Sequence, residues 1–108
     1  MWYHLSELET AKRSGIHTVT VVNNNHSLNQ EKHINEHIYG ERTQGSDDLW
    51  IFPEPDFVKI AESMGCYGAT VTNPNEFAGA LEQALDCGAP AVIDVKTDIA
   101  GIAPPAWD

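Results

Sequence analysis

Two helical patterns, each followed by a short run of strand-forming residues, narrow the fold of this chain more than any other feature. Residues 55–64 carry Phe57, Ile60, Ala61 and Met64 at helical spacing and stop at Gly65, and Tyr67–Val71 follows as a strand. The next helix, over 74–87, opens with Asn73 as a cap, Pro74 at the first helical position and Glu76 behind it. Phe77, Ala80, Leu81, Ala84 and Leu85 then fall on one apolar stripe, which makes Phe77, Leu81, Leu85 and the earlier Phe57 core candidates. Gly88 and Pro90 close that helix, and AVIDV over 91–95 is the last strand. Upstream, Ser6-Glu7-Leu8-Glu9 has the S-x-x-E form of a capping box and predicts a helix over 6–14, stopped by Gly15. The β-branched run that begins at His17 predicts a strand over 18–22, buried on both faces near its end. Strands that alternate with helices are joined by crossovers, and crossovers produce parallel pairing with helices on both faces of the sheet. The expected class is α/β, a three-layer parallel-sheet sandwich. Three strands make a thin sheet and the first helix has no strand before it, so the chain is expected to form part of something larger.

Bulk properties exclude several partners. Sixteen acidic residues against six basic ones give a net charge of -10, and the few cations do not cluster. Such a chain repels nucleic-acid backbones and anionic membranes. The 108 residues suit one domain, with the 42% apolar content of an ordinary globular protein. No apolar run approaches the roughly 20 residues needed to cross a bilayer. The start, Met1-Trp2-Tyr3-His4, has no signal-peptide pattern, so a cytoplasmic location is expected. Cys66 and Cys87 lack a C-x-x-C spacing and read as buried or free thiols of a reducing compartment, with one disulfide between them as the alternative.

Open parallel sheets bind ligands outside the carboxyl ends of their strands. The first strand ends in Asn23-Asn24-Asn25. An amide oxygen is a hard, neutral donor suited to Mg2+ or Ca2+, although asparagines also form turns with self-satisfied amides. A second constellation, His33-Ile34-Asn35-Glu36-His37, fits the H-x-x-E-H pattern of zinc hydrolases and would need a third ligand such as Glu41 or Glu54. A solvated helix face is the plainer reading of it. The long irregular stretch from Gly40 to Pro55 embeds Trp50 and Phe52 and is expected to cover something, with Asp47 and Asp48 in a solvated loop. Trp107 sits in a polyproline-like tail that could pack on a neighbour.

The segment SELETAKRSGIHTVTVVNNN resembles the second half of the thiamine diphosphate motif of acetolactate synthase-like enzymes and 2-oxoacid decarboxylases. In that family a Gly-Asp-Gly turn leads into a helix of the form QELETA and a strand ending in paired asparagines. PDFVKIAESMG, ALEQAL, CGAP and AVIDVKTD resemble the same domain's later helices and last strand, in the same order. The resemblance implies thiamine diphosphate and Mg2+ as cofactors, a 2-oxoacid as substrate, and at least a homodimer with the active site between subunits. It assigns the side-chain oxygen of Asn24 and the main-chain oxygen of His26 to the metal, and places Ser27, Leu28 and Gln30 beside cofactor and substrate. His26 departs from the small residue often found there. The family's Gly-Asp-Gly, expected just before Met1, and its pyrimidine-binding domain with an activating glutamate have no counterpart in residues 1–108. The resemblance therefore implies the C-terminal portion of a thiamine diphosphate-binding domain, without activity on its own. A non-catalytic remnant that pairs with another chain through its sheet edge is the alternative from a different class.

Overall fold

The computed structural model describes residues 1–40 and 47–101. Glu41, part of the irregular stretch and the tail with Trp107 lie outside those residues. The elements run α1 (Ser6–Arg13), β1 (Val19–Asn24), α2 (Asn29–Tyr39), α3 (Asp47–Trp50), α4 (Phe57–Ser63), β2 (Tyr67–Val71), α5 (Phe77–Asp86) and β3 (Ala91–Lys96), with single 3-10 turns at Trp2–His4 and Pro74–Glu76. They divide into two compact units. One is Met1–Asn24 with Asp56–Lys96, and the other is Asn25–Pro55 with the residues from Thr97 onward.

The first unit is the parallel sheet with its helices. The strand order is β1-β3-β2, and β3 pairs in parallel with both neighbours. Ala91, Val92, Ile93 and Asp94 on β3 are all buried, as expected of a central strand covered on both faces. Val92 faces Leu8 of α1, Val22 of β1, and Phe57 and Ala61 of α4. Ala91 and Ile93 face Val71 of β2 and Ala84 of α5. Helices thus cover both sides, and the sheet is the middle of three layers, as the alternation of patterns predicts.

Local chemistry sets the helix ends. Asp56 caps α4 by accepting the Lys59 N–H at 2.9 Å, and the chain leaves α4 through Gly65 at φ +73. Asn73 accepts the Asn75 N–H at 3.0 Å, with Pro74 next to it, as its sequence context suggests. The expected capping box at Ser6 does not form. Leu5 is already helical (φ -62, ψ -37) behind the turn Trp2–His4, so Ser6 lies inside the helix and cannot adopt the extended cap conformation.

Three further expectations are corrected. Leu85 is 63% exposed. At about 100° per residue it falls roughly 90° from the centre of the stripe made by Phe77, Ala80, Leu81 and Ala84. The strand expected over 18–22 begins at Val19 and runs on to Asn24, and it is buried on one face only. β1 is an edge strand and α5 covers β3 and β2, so Val21 on that side remains 48% exposed. Asp47 and Asp48 open the short helix α3 instead of lying in a loop.

The second unit contains α2, whose length the sequence pattern does not reveal. Its buried residue is Asn29, whereas Ile34 and Ile38 face solvent, so its apolar residues mark the wrong side. Its start is held by an antiparallel pairing. Leu28 N–H donates to the Trp50 carbonyl at 2.8 Å, Phe52 N–H donates to the His26 carbonyl at 2.8 Å, and Ser27 bridges Ile51. Half-buried Trp50 and Phe52 therefore brace the segment after the asparagines.

Two outcomes follow from how α4 seats. A Cβ on Gly68 of β2 would come within 2.7 Å of a Val58 methyl and 3.2 Å of the Val58 Cα on α4. Gly68→Ala should destabilise the protein by about 1–3 kcal/mol in denaturant titration, because backbone must move to admit the methyl. Unchanged stability would mean that α4 does not press on β2 there. The α4 cap also carries a pH signature. Hydrogen bonds from the Lys59 N–H and ammonium hold the Asp56 carboxyl below its ordinary 3.8, and the same partner raises Lys59 above 10.5. The depressed acid contributes stability that is complete above 3.8 and is lost as pH falls through its folded value, and the raised base contributes below 10.5 and fades above it. Asp56→Asn keeps an acceptor but no charge, so its melting temperature should lie between those of wild type and Asp56→Ala at pH 7. The wild-type lead over Asn should vanish in strong acid. A lead that persisted there would show that the charge is not its source.

Candidate functional site

Parallel sheets of this kind bind ligands outside the carboxyl ends of their strands, so that edge is the candidate ligand edge of this unit. Side chains alternate along a strand, so even-numbered residues of β1 and β3 share the face covered by α1 and α4. At the carboxyl end of that face Asn24 stands in register with Lys96, and one step below them Val22 stands in register with Asp94. Asn24 is 5% exposed. Asn23, one residue earlier, is exposed on the opposite face. The turn reading of the asparagines is seen at Asn25, whose Oδ1 accepts the Ser27 N–H at 3.2 Å.

Asp94 is the notable charge. It is 1% exposed, and its Oδ2 accepts a hydrogen bond from the Lys96 ammonium at 2.8 Å. The Lys96 side chain is 26% exposed and also helps depress the Asp56 carboxyl at the start of α4. Asp94 Oδ1 is buried with no hydrogen-bond partner among the described residues. Nothing in the sequence reading singled out this pair. The available signal was an aspartate inside an otherwise apolar central strand, since such residues are almost never fully buried without a partner.

Asn24 closes the first unit, and His26, Ser27 and Leu28 open the second. His26 has φ 44, in the left-handed region that few residues other than glycine enter and that histidine enters more readily than most. Its carbonyl accepts the Phe52 N–H, which occupies one of the oxygen's two lone pairs. Ser27 Oγ is buried and unpartnered among the described residues, and Leu28 is partly exposed. Asn29 is 6% exposed, and its Nδ2 donates to the Gly101 carbonyl at 2.9 Å. The zinc constellation is not assembled among the described residues. His33 Nδ1 lies 3.9 Å from Glu36, His37 is exposed, and no three His, Cys, Asp or Glu side chains converge. Cys66 and Cys87 are free thiols, and burial pushes Cys66 up. No helix among the described residues is long and apolar enough to cross a membrane.

Asn24 has a definite chemical character. Its amide oxygen is hard and neutral, the kind of donor that Mg2+ takes more readily than zinc does. A neutral donor alone holds a dication poorly, so it fits a metal that arrives with an anionic ligand such as a diphosphate.

A parallel α/β layer with its carboxyl edge open to a ligand is a common design of nucleotide- and cofactor-binding domains. Comparison with known proteins makes the class specific. Residues 1–95 match the family described as "Thiamine pyrophosphate enzyme, C-terminal TPP binding domain", and the chain belongs to that family. The acetolactate synthase large subunit of Haemophilus influenzae is 32% identical over 96 residues, which is 88% of this chain and 16% of that protein. The acetolactate synthase large subunit IlvG of Mycobacterium tuberculosis is 33% identical over 92 residues, 85% of this chain and 16% of its own length. Among solved structures, the thiamine diphosphate-dependent 4-hydroxybenzoylformate decarboxylase of Rhodococcus jostii superposes with a TM-score of 0.77 at 28% identity, over 89% of this chain and 18% of that one. The chain therefore spans about 16% of the length of these curated relatives.

The Asp94–Lys96 pair predicts an asymmetry. Lys96→Met leaves a carboxylate at 1% exposure with no counter-ion, whereas Asp94→Asn leaves an ammonium that can turn to water. Breaking a buried pair from the side that strands a charge costs about 3–5 kcal/mol. Chemical denaturation should therefore find Lys96→Met clearly less stable than Asp94→Asn. The reverse order would mean that the carboxylate is not the desolvated partner.

Proposed function

We propose that this chain anchors the cofactor in a thiamine diphosphate- and Mg2+-dependent enzyme of the acetolactate synthase-like group, one that decarboxylates or ligates 2-oxoacids. The observation that carries the reading is the burial of Asn24 at the carboxyl end of β1, on the α1 and α4 face of the sheet. In this proposal the Asn24 amide oxygen ligates Mg2+, the His26 main-chain oxygen is a second ligand, and Ser27 and Leu28 flank the cofactor. Thiamine diphosphate, when bound, supplies the electron sink for breaking the bond to the carboxylate. The chain's own residues do simpler things. Asn24 fixes one coordination direction, while the pairing of residues 26–28 with 50–52 stiffens the segment that follows it. No Gly-Asp-Gly occurs in residues 1–108, so the family's carboxylate metal ligand and its activating glutamate are proposed to come from outside them. These residues are thus the C-terminal portion of the cofactor-binding domain, and we place them in a homodimer acting on a 2-oxoacid in the cytoplasm.

Titration of cofactor binding against Mg2+ tests the assignment. Asn24→Ala should weaken Mg2+ and thiamine diphosphate together, by about tenfold or more, since even outer-shell partners of a metal are worth 10–100-fold. Excess Mg2+ should restore part of the affinity, because water can take the vacated position. His26→Ala should do much less, as only its main-chain oxygen is proposed to act. Unchanged affinity in Asn24→Ala, or a larger loss in His26→Ala, would refute the ligand assignment.

A further inference from the structure

We infer that Lys96 is a further contact for the cofactor's diphosphate and that Asp94 is the residue that positions it. The inference rests on the proposed function, which puts a diphosphate beside Asn24. Lys96 is the cross-strand partner of Asn24, so their Cα atoms are separated by one strand spacing, about 4.8 Å. Both residues are even-numbered on paired parallel strands, and their side chains leave the same face. An anion held through a metal at Asn24 is therefore within reach of a lysine side chain on the next strand.

The pair with Asp94 decides where that lysine points. Asp94 lies two residues back along β3, below the edge and within the core, and it holds the ammonium at 2.8 Å. Lys96 therefore does not extend into solvent, and its charge reaches the Asp56 carboxyl at the start of α4. The pair is a fixed dipole with its negative end in the core and its positive end at the ligand edge. Stability alone does not explain it, since apolar residues of similar volume usually serve a core as well or better than a buried ion pair. The net charge of -10 makes the need plain, because an anion approaching this chain requires a cation supplied locally. The other basic residue of this unit that interacts with Asp56, Lys59, is itself bound to that carboxylate at 3.0 Å and is 81% exposed.

The test is calorimetric binding of thiamine diphosphate and of thiamine, each with Mg2+, to the chain and its variants. Lys96→Gln alone would strand the buried carboxylate, so the informative protein is Asp94→Asn/Lys96→Gln, which removes both charges and keeps two groups able to hydrogen-bond. It should melt cooperatively and bind thiamine diphosphate about tenfold more weakly, the usual worth of one hydrogen bond to a charged group. Its affinity for thiamine, which has no diphosphate, should not change. Asp94→Asn alone, which keeps the ammonium but frees it, should show a smaller loss. A folded double variant that binds thiamine diphosphate like the wild type overturns the inference, and so does an equal loss for thiamine, which would make the pair purely structural. Asn24→Ala separates the two levels. If it weakens binding and the double variant does not, the inference falls alone. Should neither weaken it, or should the wild type bind both compounds equally, the proposed function falls with it.

Discussion

The ladder that joins β3 to β1 on one side and β2 on the other underlies both the core and the candidate site. In a parallel pair, residues in register send their side chains to the same face, so one backbone register fixes many side-chain neighbours at once. Pairing Val22 with Asp94 and Asn24 with Lys96 puts an apolar residue, a buried acid, an amide and a base on one face within two rows. A slip of one residue would turn Asn24 to the α5 face and bring Asn23 to the edge instead. The buried block at Ala91–Asp94 prevents that slip, since Val92 and Ile93 are committed to opposite cores.

Most of this unit was legible in the sequence, for identifiable reasons. α4 and α5 each bury a stripe against the sheet, so their periodicity records the packing directly, and Asn73 and the glycines after the helices mark their ends. The errors arise where neighbours outside the local pattern decide burial. Val21 sits in a run of β-branched residues that looks doubly buried, but it lies on an edge strand beyond the cover of α5. Leu85 continues an apolar run by spacing, yet the stripe has already turned away from it. The capping-box pattern at Ser6 fails because the preceding residues are helical, which four letters of sequence cannot reveal.

The second unit was poorly legible because it inverts the usual rule. α2 buries Asn29 and shows solvent Ile34 and Ile38, so a periodicity argument finds no stripe to follow. What orders its start is a backbone pairing between residues 26–28 and 50–52, which depends on N–H and carbonyl groups that every residue carries. The left-handed conformation of His26 is equally invisible, since histidine only tolerates it and does not announce it. Asn24 was singled out by family resemblance and strand position, whereas Asp94 and Lys96 were not, because Lys96 stands in register with Asn24 and Asp94 with Val22 on a strand 72 residues away in sequence.

Electrostatics explains why so acidic a chain can still serve an anionic cofactor. A net charge of -10 is a long-range quantity, and ions screen it beyond roughly 8–10 Å at physiological salt. Binding is decided inside that distance, where the groups on the α1 and α4 face at the carboxyl edge are an amide and an ammonium, with the paired carboxylate kept beneath them in the core. Burying Asp94 costs free energy, but it also places the negative end of the pair on the far side of its own counter-ion from the edge. Overall charge and local charge therefore act over different distances. A small ligand seated at this edge meets the local field, and a ligand still far from it meets the global one.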